Sequence, residues 1–241
     1  MINAPVAPLL LLFLLLLLGI MILVVEIRSL SYAYRRIGIA PRYVTAVLVL
    51  TFLGSYVNIP LYSVPVARLL PPQIVERFGR TYIVPPALET GMTVVAINVG
   101  GALLPLLVSI YLLAKTPRRL RILFAVGVVA MVVHALAEII PGVGIAVPML
   151  IPPLAAAGVA LLLAFRHAPA VAYVAGSLGA LIGADLWNLP RVAELGAPIV
   201  AIGGAGTFDG VFLSGILAGV LAAWIAPSRP APGVGGLRHA V

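Results

Sequence analysis

Two aspartates lie inside or at the edges of otherwise apolar stretches, Asp185 in GALIGADLWNLP and Asp209 in GGAGTFDGVFLSG. A carboxylate in such a setting is costly unless it has a partner or a task, so these acids are the first candidates for function. When two carboxylates meet in a medium of low polarity they share a proton. One can then activate a water molecule while the other protonates a peptide carbonyl. Asp185 and Asp209 are therefore a candidate catalytic pair.

Asparagines and the residues of a glycine-rich turn accompany the two acids. We predict that these residues shape or line a substrate site: Asn58, Asn98, Asn188, Gly204, Gly206 and Thr207. The glycines would leave room for an extended substrate strand, and Thr207 would cap the helix that follows. Hydrogen bonding between helices is the alternative role of the asparagines.

His134 and Glu138 are four residues apart, and on a helix they would share one face. Such a pair could join the aspartates in a metal site. A histidine bonded to its own neighbouring glutamate is the more common outcome, and the same region has no second histidine. We therefore predict no metal site and no cofactor.

Composition indicates the class of protein. Of 241 residues, 63% are hydrophobic and only 9% are charged, far from the usual composition of a soluble domain. We predict a multi-pass protein of the cell membrane, in contact with the lipid bilayer and with a membrane-embedded peptide or a small solute. The net charge of +8 does not indicate nucleic acid, because the basic residues form short clusters between apolar runs. The absence of cysteine excludes disulfides and thiolate chemistry. Oligomeric state stays open.

The predicted fold is all-α, with about seven transmembrane helices. The predicted spans are residues 5–25, 43–64, 91–114, 122–140, 145–165, 170–189 and a last run that ends near 226. A mixed loop is expected at residues 65–90. A single transmembrane domain would then cover residues 1–226, followed by a flexible cytoplasmic tail at 227–241.

The distribution of basic residues predicts the orientation. One side receives eleven of them: Arg28, Arg35, Arg36, Arg42, Lys115, Arg118, Arg119, Arg121, Arg166, Arg229 and Arg238. The other side receives Arg68, Arg77, Arg80 and Arg191. The amino terminus is therefore predicted outside and the carboxyl terminus inside. Both aspartates would then lie in the outer half, with Asp209 in the first turn of the last helix after an irregular glycine-rich entry.

Three short matches suggest an internal repeat. VNIP at 57–60 resembles WNLP at 187–190, and VARL at 66–69 resembles VAEL at 192–195. VAI followed by GGA occurs at 95–102 and again at 200–205. The order predicts a parallel duplication of residues 1–114 and 144–226 around a linking span at 115–143, with chance similarity as the alternative. Ser55 or a neighbour would stand opposite Asp185, so only the second copy carries the acids.

The run from GALIGADLWNLP to GGAGTFDGVFLSGILAG resembles an uncharacterised prokaryotic family of polytopic membrane proteins, a domain of unknown function (DUF1614). The resemblance covers most of the chain and implies a polytopic fold without an activity. More weakly, the two acids are similar to those of the presenilin and prepilin-peptidase type of intramembrane aspartyl protease. Those enzymes carry the second aspartate in a Gly-x-Gly-Asp turn, whereas Thr207 and Phe208 separate Gly206 from Asp209 here.

The leading functional hypothesis is an intramembrane aspartyl-type hydrolase that uses Asp185 and Asp209. The alternative is a proton- or cation-coupled carrier or ion-binding protein, which the repeated halves favour. A structural or assembly role is the third hypothesis.

Overall fold

The computed structural model describes residues 6–70, 73–77, 80–84, 87–116, 119–140, 144–204 and 210–226, and the chain is mostly helical. The predicted tail at 227–241 lies outside the described residues, as do Gly206, Thr207 and Asp209. The predicted all-α class is wrong in one respect, because several strands interrupt the helices.

Two helices begin the fold and meet at a tight turn. Helix α1 covers Val6–Ile37, and α2 covers Pro41–Gly54. Gly38 has a φ of 110°, a backbone conformation that favours glycine, and its N–H donates to Tyr34 O over 3.2 Å. Because Gly38 reverses the chain here, α2 starts beside the end of α1.

Strands replace helix between residues 58 and 98. Strand β1 covers Asn58–Leu70, β2 covers Gln73–Arg77, β3 covers Arg80–Val84 and β4 covers Ala87–Asn98. β1 pairs with β4 and β2 with β3, both antiparallel. The predictions of helix at 55–64 and 91–98 are therefore wrong, and the predicted loop at 65–90 contains strands in the parts that the structure describes. Pro60 and Pro65 cannot donate to a helix or to a strand ladder, and they are tolerated here because β1 is an edge strand.

The next segments return the chain along the bundle. A π-helical turn at Val99–Leu103 leads into α3, Leu104–Lys115, and α4 covers Arg119–Leu136. Short strands β5, Glu138–Ile140, and β6, Gly144–Ala146, pair before α5, Ile151–Ala164. A 3-10 turn at Phe165–His167 reverses the chain into α6, Ala168–Ala180.

The last part of the chain alternates helix types. After α6 come a π-helix, Leu181–Asp185, a 3-10 helix, Leu186–Arg191, and the short helix α7, Val192–Leu195. Strand β7, Ile199–Ile202, then precedes the final helix α8, Gly210–Ile225. β7 pairs in parallel with β4, giving the strand order β1-β4-β7.

Helix α6 occupies the centre of the bundle and is almost completely buried, between α4, α5 and α8. We call the end where α1, α3, α5 and α8 finish the basic end, because Arg35, Arg36 and Lys115 lie in last turns there. The opposite end, which carries β1, β4 and β7, is the sheet end.

Within the described residues, two helical runs are long and apolar enough to cross a membrane, Arg119–Leu136 and Ile151–Leu195. The second run folds back on itself at Phe165–His167, so it contains the antiparallel pair α5 and α6. Shorter apolar helices are Pro41–Gly54, Val99–Lys115 and Gly210–Ile225.

Glycines allow α6 to approach its neighbours closely. A Cβ placed on Gly176 would lie 2.7 Å from Ser214 O of α8, and one on Gly179 would lie 2.6 Å from Val129 Cγ1 of α4. Both distances are too short for a real side chain, so glycine is required at these helix crossings.

We predict that Gly176→Ala destabilises the bundle, because the added methyl group must displace α8 from α6. Overpacking of this kind costs about 1–3 kcal/mol, measured as a lower midpoint of thermal unfolding in detergent. Gly158→Ala in α5 is the matched control, since a Cβ there meets nothing within 4 Å. Alanine favours helix over glycine, so a loss of stability in Gly158→Ala equal to that in Gly176→Ala would contradict the packing argument.

Candidate functional site

Asp185 lies at the sheet end, where the helical run after α6 changes from π-helix to 3-10 helix. Its Oδ2 accepts a hydrogen bond of 2.7 Å from the backbone N–H of Gly203, and the side chain is partly buried. A bond from a backbone N–H to a charged carboxylate is about twice as strong as one between neutral groups. The carboxylate therefore ties the end of the α6 run to the turn that follows β7.

Gly203 and Gly204 form that turn with φ values of 85° and 81°. Residues that carry a side chain rarely adopt this left-handed backbone conformation, so glycine is needed at both positions. Gly203 also packs directly against Gly101 and Ala102 of the π-helical turn before α3, where a Cβ would have no room. The predicted irregular glycine-rich entry is thus seen at Gly203 and Gly204, while its continuation to Asp209 lies outside the described residues.

Asn98 is completely buried between β4 and the π-helical turn. Its Oδ1 accepts from the N–H of Gly101 over 2.7 Å and caps that turn. Its Nδ2 donates to Ser55 O over 2.8 Å and to Asn58 Oδ1 over 3.0 Å. Asn58 and Asn98 are therefore neighbours, and the amide of Asn98 holds α2, β1 and α3 together.

Asn188 is buried beside Asp185 in the 3-10 segment. Its Nδ2 donates to Ala184 O over 2.8 Å and to Gly183 O over 3.3 Å. His134 Nδ1 lies 3.3 Å from Gly183 O and 3.5 Å from Asn188 Nδ2, so its role as donor or acceptor depends on the tautomer. The irregular helix that carries Asp185 is therefore held by side-chain hydrogen bonds.

The predicted pairing of His134 with Glu138 on one helix face is wrong. Helix α4 ends at Leu136, and Glu138 opens strand β5, so a helical spacing of four does not relate the two residues. The His134 ring instead packs edge-on against Trp187, with centroids 5.3 Å apart. Among the described residues, no group of three or more His, Asp or Glu side chains is arranged to hold a metal ion.

Comparison with protein families identifies one match. The family described as "Protein of unknown function (DUF1614)" matches residues 52–221, more than half of the chain. The chain belongs to the DUF1614 family. No curated protein and no solved structure matches it. The resemblance to presenilin-type proteases finds no support in these comparisons.

Two groups of predicted residues meet at the sheet end of this DUF1614 protein. Asp185, Asn188 and the turn of Gly203 and Gly204 form one group through side-chain to backbone hydrogen bonds, and Asn58 with Asn98 forms the other. Sequence reasoning missed Gly203 as the partner of Asp185 and Ser55 O as that of Asn98. Both partners are backbone atoms, which leave no residue-type signal. The available sequence signals for these two partners were the glycine positions and the alignment of Ser55 with Asp185 in the predicted repeat.

We predict that Asp185→Ala lowers the thermal stability more than Asp185→Asn does. Alanine leaves the N–H of Gly203 without its acceptor, which costs about 1–3 kcal/mol, whereas the amide oxygen of asparagine still accepts that bond. Unfolding midpoints of the purified protein in detergent measure the difference. Equal midpoints for the two variants would show that the Gly203 bond contributes nothing to the fold.

Proposed function

We propose that this protein is a multi-pass membrane carrier, coupled to protons or cations, in which Asp185 is the ion-binding carboxylate. The observation that carries the proposal is the bond from Gly203 N–H to Asp185, because it joins two interrupted apolar segments. Ion and substrate sites of carriers lie where discontinuous helices meet at the interface of structural repeats. Ion binding accounts for a carboxylate at such a junction, where placing an ionisable side chain in an apolar environment is energetically unfavourable.

A membrane location is supported by the apolar helices and by the charge distribution. The two helical runs long enough to cross a bilayer contain α4, α5 and α6. Basic residues cluster at the basic end, which we place inside the cell together with the carboxyl terminus. The sheet end and Asp185 then face outward, with the amino terminus on the same side. Seven helices, α1 to α6 and α8, cross the membrane in this arrangement.

An internal duplication is supported by the sheet. Val95, Ala96 and Ile97 pair in parallel with Val200, Ala201 and Ile202, residue for residue, and these are the triplets that match in sequence. The glycine pairs that follow them pack together, Gly101 against Gly203. Two parallel copies placed side by side produce this register, as in carriers built from parallel repeats.

Corresponding positions of the two proposed copies are joined by hydrogen bonds, with a side-chain donor in the first copy and a backbone donor in the second. In the first copy, Asn98 follows the triplet and its side chain donates to Ser55 O. In the second copy, Gly203 follows the triplet and its N–H donates to Asp185. Because Ser55 aligns with Asp185, the same junction is bridged twice, and only the second bridge carries a titratable group.

Protonation of Asp185 would weaken its bridge. An ionised carboxylate accepts the Gly203 N–H as a charge-assisted bond, whereas a neutral carboxyl accepts it more weakly. Loading the ion therefore loosens the contact between the α6 run and the glycine turn, and release restores it. This couples occupancy of the acid to the relative position of two membrane segments.

Proton binding tests the proposal without knowledge of the solute. We expect infrared difference spectra of the full chain in liposomes, recorded between alkaline and acidic pH, to show a protonated carboxyl band that is lost in Asp185→Asn. Glu194→Gln is the control, because Glu194 is exposed and paired with Arg191. Currents recorded from the reconstituted protein on a solid-supported membrane after a rapid change of pH should likewise be smaller in Asp185→Asn and unchanged in Glu194→Gln. Identical spectra and currents for Asp185→Asn and the unmodified protein would refute the carrier.

A second candidate, an intramembrane aspartyl hydrolase of Asp185 and Asp209, is favoured by the position of β7. Among the described strands, β7 is an edge strand of its sheet, and its end at Ile202 directly precedes Gly203. An extended peptide added to that edge would pass beside the Asp185 carboxylate. Asp185 and Asp209 would then share a proton, one activating water and the other protonating the peptide carbonyl.

Cysteine cross-linking separates the two candidates. The chain has no cysteine, so Asp185→Cys combined with Asp209→Cys reports on that pair alone. A disulfide requires Cα atoms within about 7 Å, so rapid oxidation to an intramolecular cross-link is expected if the acids form a catalytic pair. Asp185→Cys with Val220→Cys is the control, since Val220 lies roughly 16 Å further along the chain in helical rise. Failure to cross-link excludes the hydrolase and leaves the carrier untouched.

A further inference from the structure

We infer that the basic end carries a binding surface for the headgroups of anionic phospholipids. The surface consists of Arg35, Arg42 and Lys115, with Tyr43 and Tyr111 beside them, and we call it the headgroup surface. The inference rests on the membrane location proposed above but not on any chemistry of Asp185.

The three cations lie on helix ends that pack near one another. Arg35 is in the last turn of α1, Arg42 in the first turn of α2 and Lys115 in the last turn of α3. The α1–α2 turn packs on α3, since a Cβ on Gly38 would lie 4.0 Å from Leu112 Cδ2. Leu112 is one turn before Lys115. The three helix ends that carry the cations of the headgroup surface are therefore neighbours in the fold.

Tyrosine side chains contact several of the basic side chains at this end of the bundle. Lys115 Nζ donates to Tyr111 OH over 2.6 Å and lies 4.5 Å from the centre of its ring. The Arg42 guanidinium lies 4.7 Å from the centre of the Tyr43 ring. Arg36, next to Arg35, repeats the arrangement with Tyr32. Tyrosine rings and long cations of this kind favour the boundary between hydrocarbon and headgroups.

The positive charge of the headgroup surface favours the binding of an anion. The only ion pair among the described side chains joins Arg191 to Glu194, which lie at the sheet end. Arg35 and Lys115 are exposed, as is Arg42. Among the described residues, none of the three cations is paired with a carboxylate, so the surface attracts a phosphate-bearing partner, because each basic residue adds to the affinity for an anionic surface.

Exposed apolar side chains on the same helices favour a lipid as the partner. Along α1, the exposed side chains leading toward the headgroup surface include Val24, Val25 and Ile27. Along α2, those leading away from it include Val49 and Leu50. A ligand with an anionic head and an apolar tail satisfies both the cations and this surface, whereas a soluble phosphate satisfies only the cations.

Quenching of a single tryptophan by brominated lipids tests the inference. In a background of Trp187→Phe and Trp224→Phe, which removes both native tryptophans, Tyr43→Trp places the probe in the headgroup surface. Tyr56→Trp is the matched control, because Tyr56 is also exposed but lies beyond the other end of α2. Each full-length protein is reconstituted in phosphatidylcholine vesicles that contain either brominated phosphatidylglycerol or brominated phosphatidylcholine.

We expect a preference for phosphatidylglycerol of roughly fivefold at position 43 and none at position 56, the magnitude that one cation near an anionic surface supplies. Arg35→Gln with Lys115→Gln should reduce the preference at position 43 at least by half, with the unfolding midpoint unchanged. Equal quenching by the two lipids at position 43, or a preference of the same size at position 56, would overturn the inference. Loss of the preference on addition of soluble glycerol phosphate would assign the site to small anions instead of lipids. If neither lipid quenches at either position, it is the membrane location itself that fails.

Discussion

Backbone polar groups at the breaks between helices and strands are the constraint on which this structure depends. Inside an apolar bundle, water cannot satisfy an N–H or C=O group that has left its helix, so the protein must supply the partner. The Asn98 side chain does this where β4 becomes the π-helical turn, and Asp185 does it where β7 becomes the glycine turn. Asn188 serves the carbonyls of Gly183 and Ala184 in the same way. The polar residues of the sheet end are therefore first of all the residues that permit its irregular backbone.

Glycine residues are the second feature that permits the irregular backbone, because they allow close contacts between segments. The breaks can lie side by side only because Gly101 and Gly203 bring two turns into direct backbone contact. Gly183 does the same between the π-helix and Ala130 of α4. A small apolar core beneath the sheet closes these contacts, and its buried members are Val95, Ala102, Ala180, Leu181, Val192, Ile202 and Val211. The glycine turn that donates to Asp185 is thus fixed by packing as well as by that hydrogen bond.

The two ends of the bundle have opposite chemistry. At the sheet end, short polar side chains are bonded inward to backbone groups, and Asp185 among them is partly buried. At the basic end, long cations extend outward beside tyrosine rings. An inward-facing carboxylate suits the binding and release of an ion, whereas outward-facing cations suit a lipid surface. The proposed carrier and the proposed headgroup surface use these two ends independently.

The sequence by itself determined the apolar, helical character of the chain and its place in the DUF1614 family, and it singled out Asp185 as a candidate. Composition, apolar run length and the motif around Asp185 carry that information directly, because each depends on residue type alone. The matched VAI triplets were visible as well. That they pair with each other as parallel strands was not, because pairing is a contact between residues about a hundred positions apart.

Only the tertiary structure decided that residues 58–70 and 87–98 form paired strands, that Glu138 leaves the helix of His134, and that Gly203 is the partner of Asp185. An apolar run of this length has no periodicity that separates a membrane helix from a buried strand, and the choice falls to the neighbours against which it packs. Backbone donors such as Gly203 N–H leave no trace in residue type. Their partners become known only when the fold brings distant segments together.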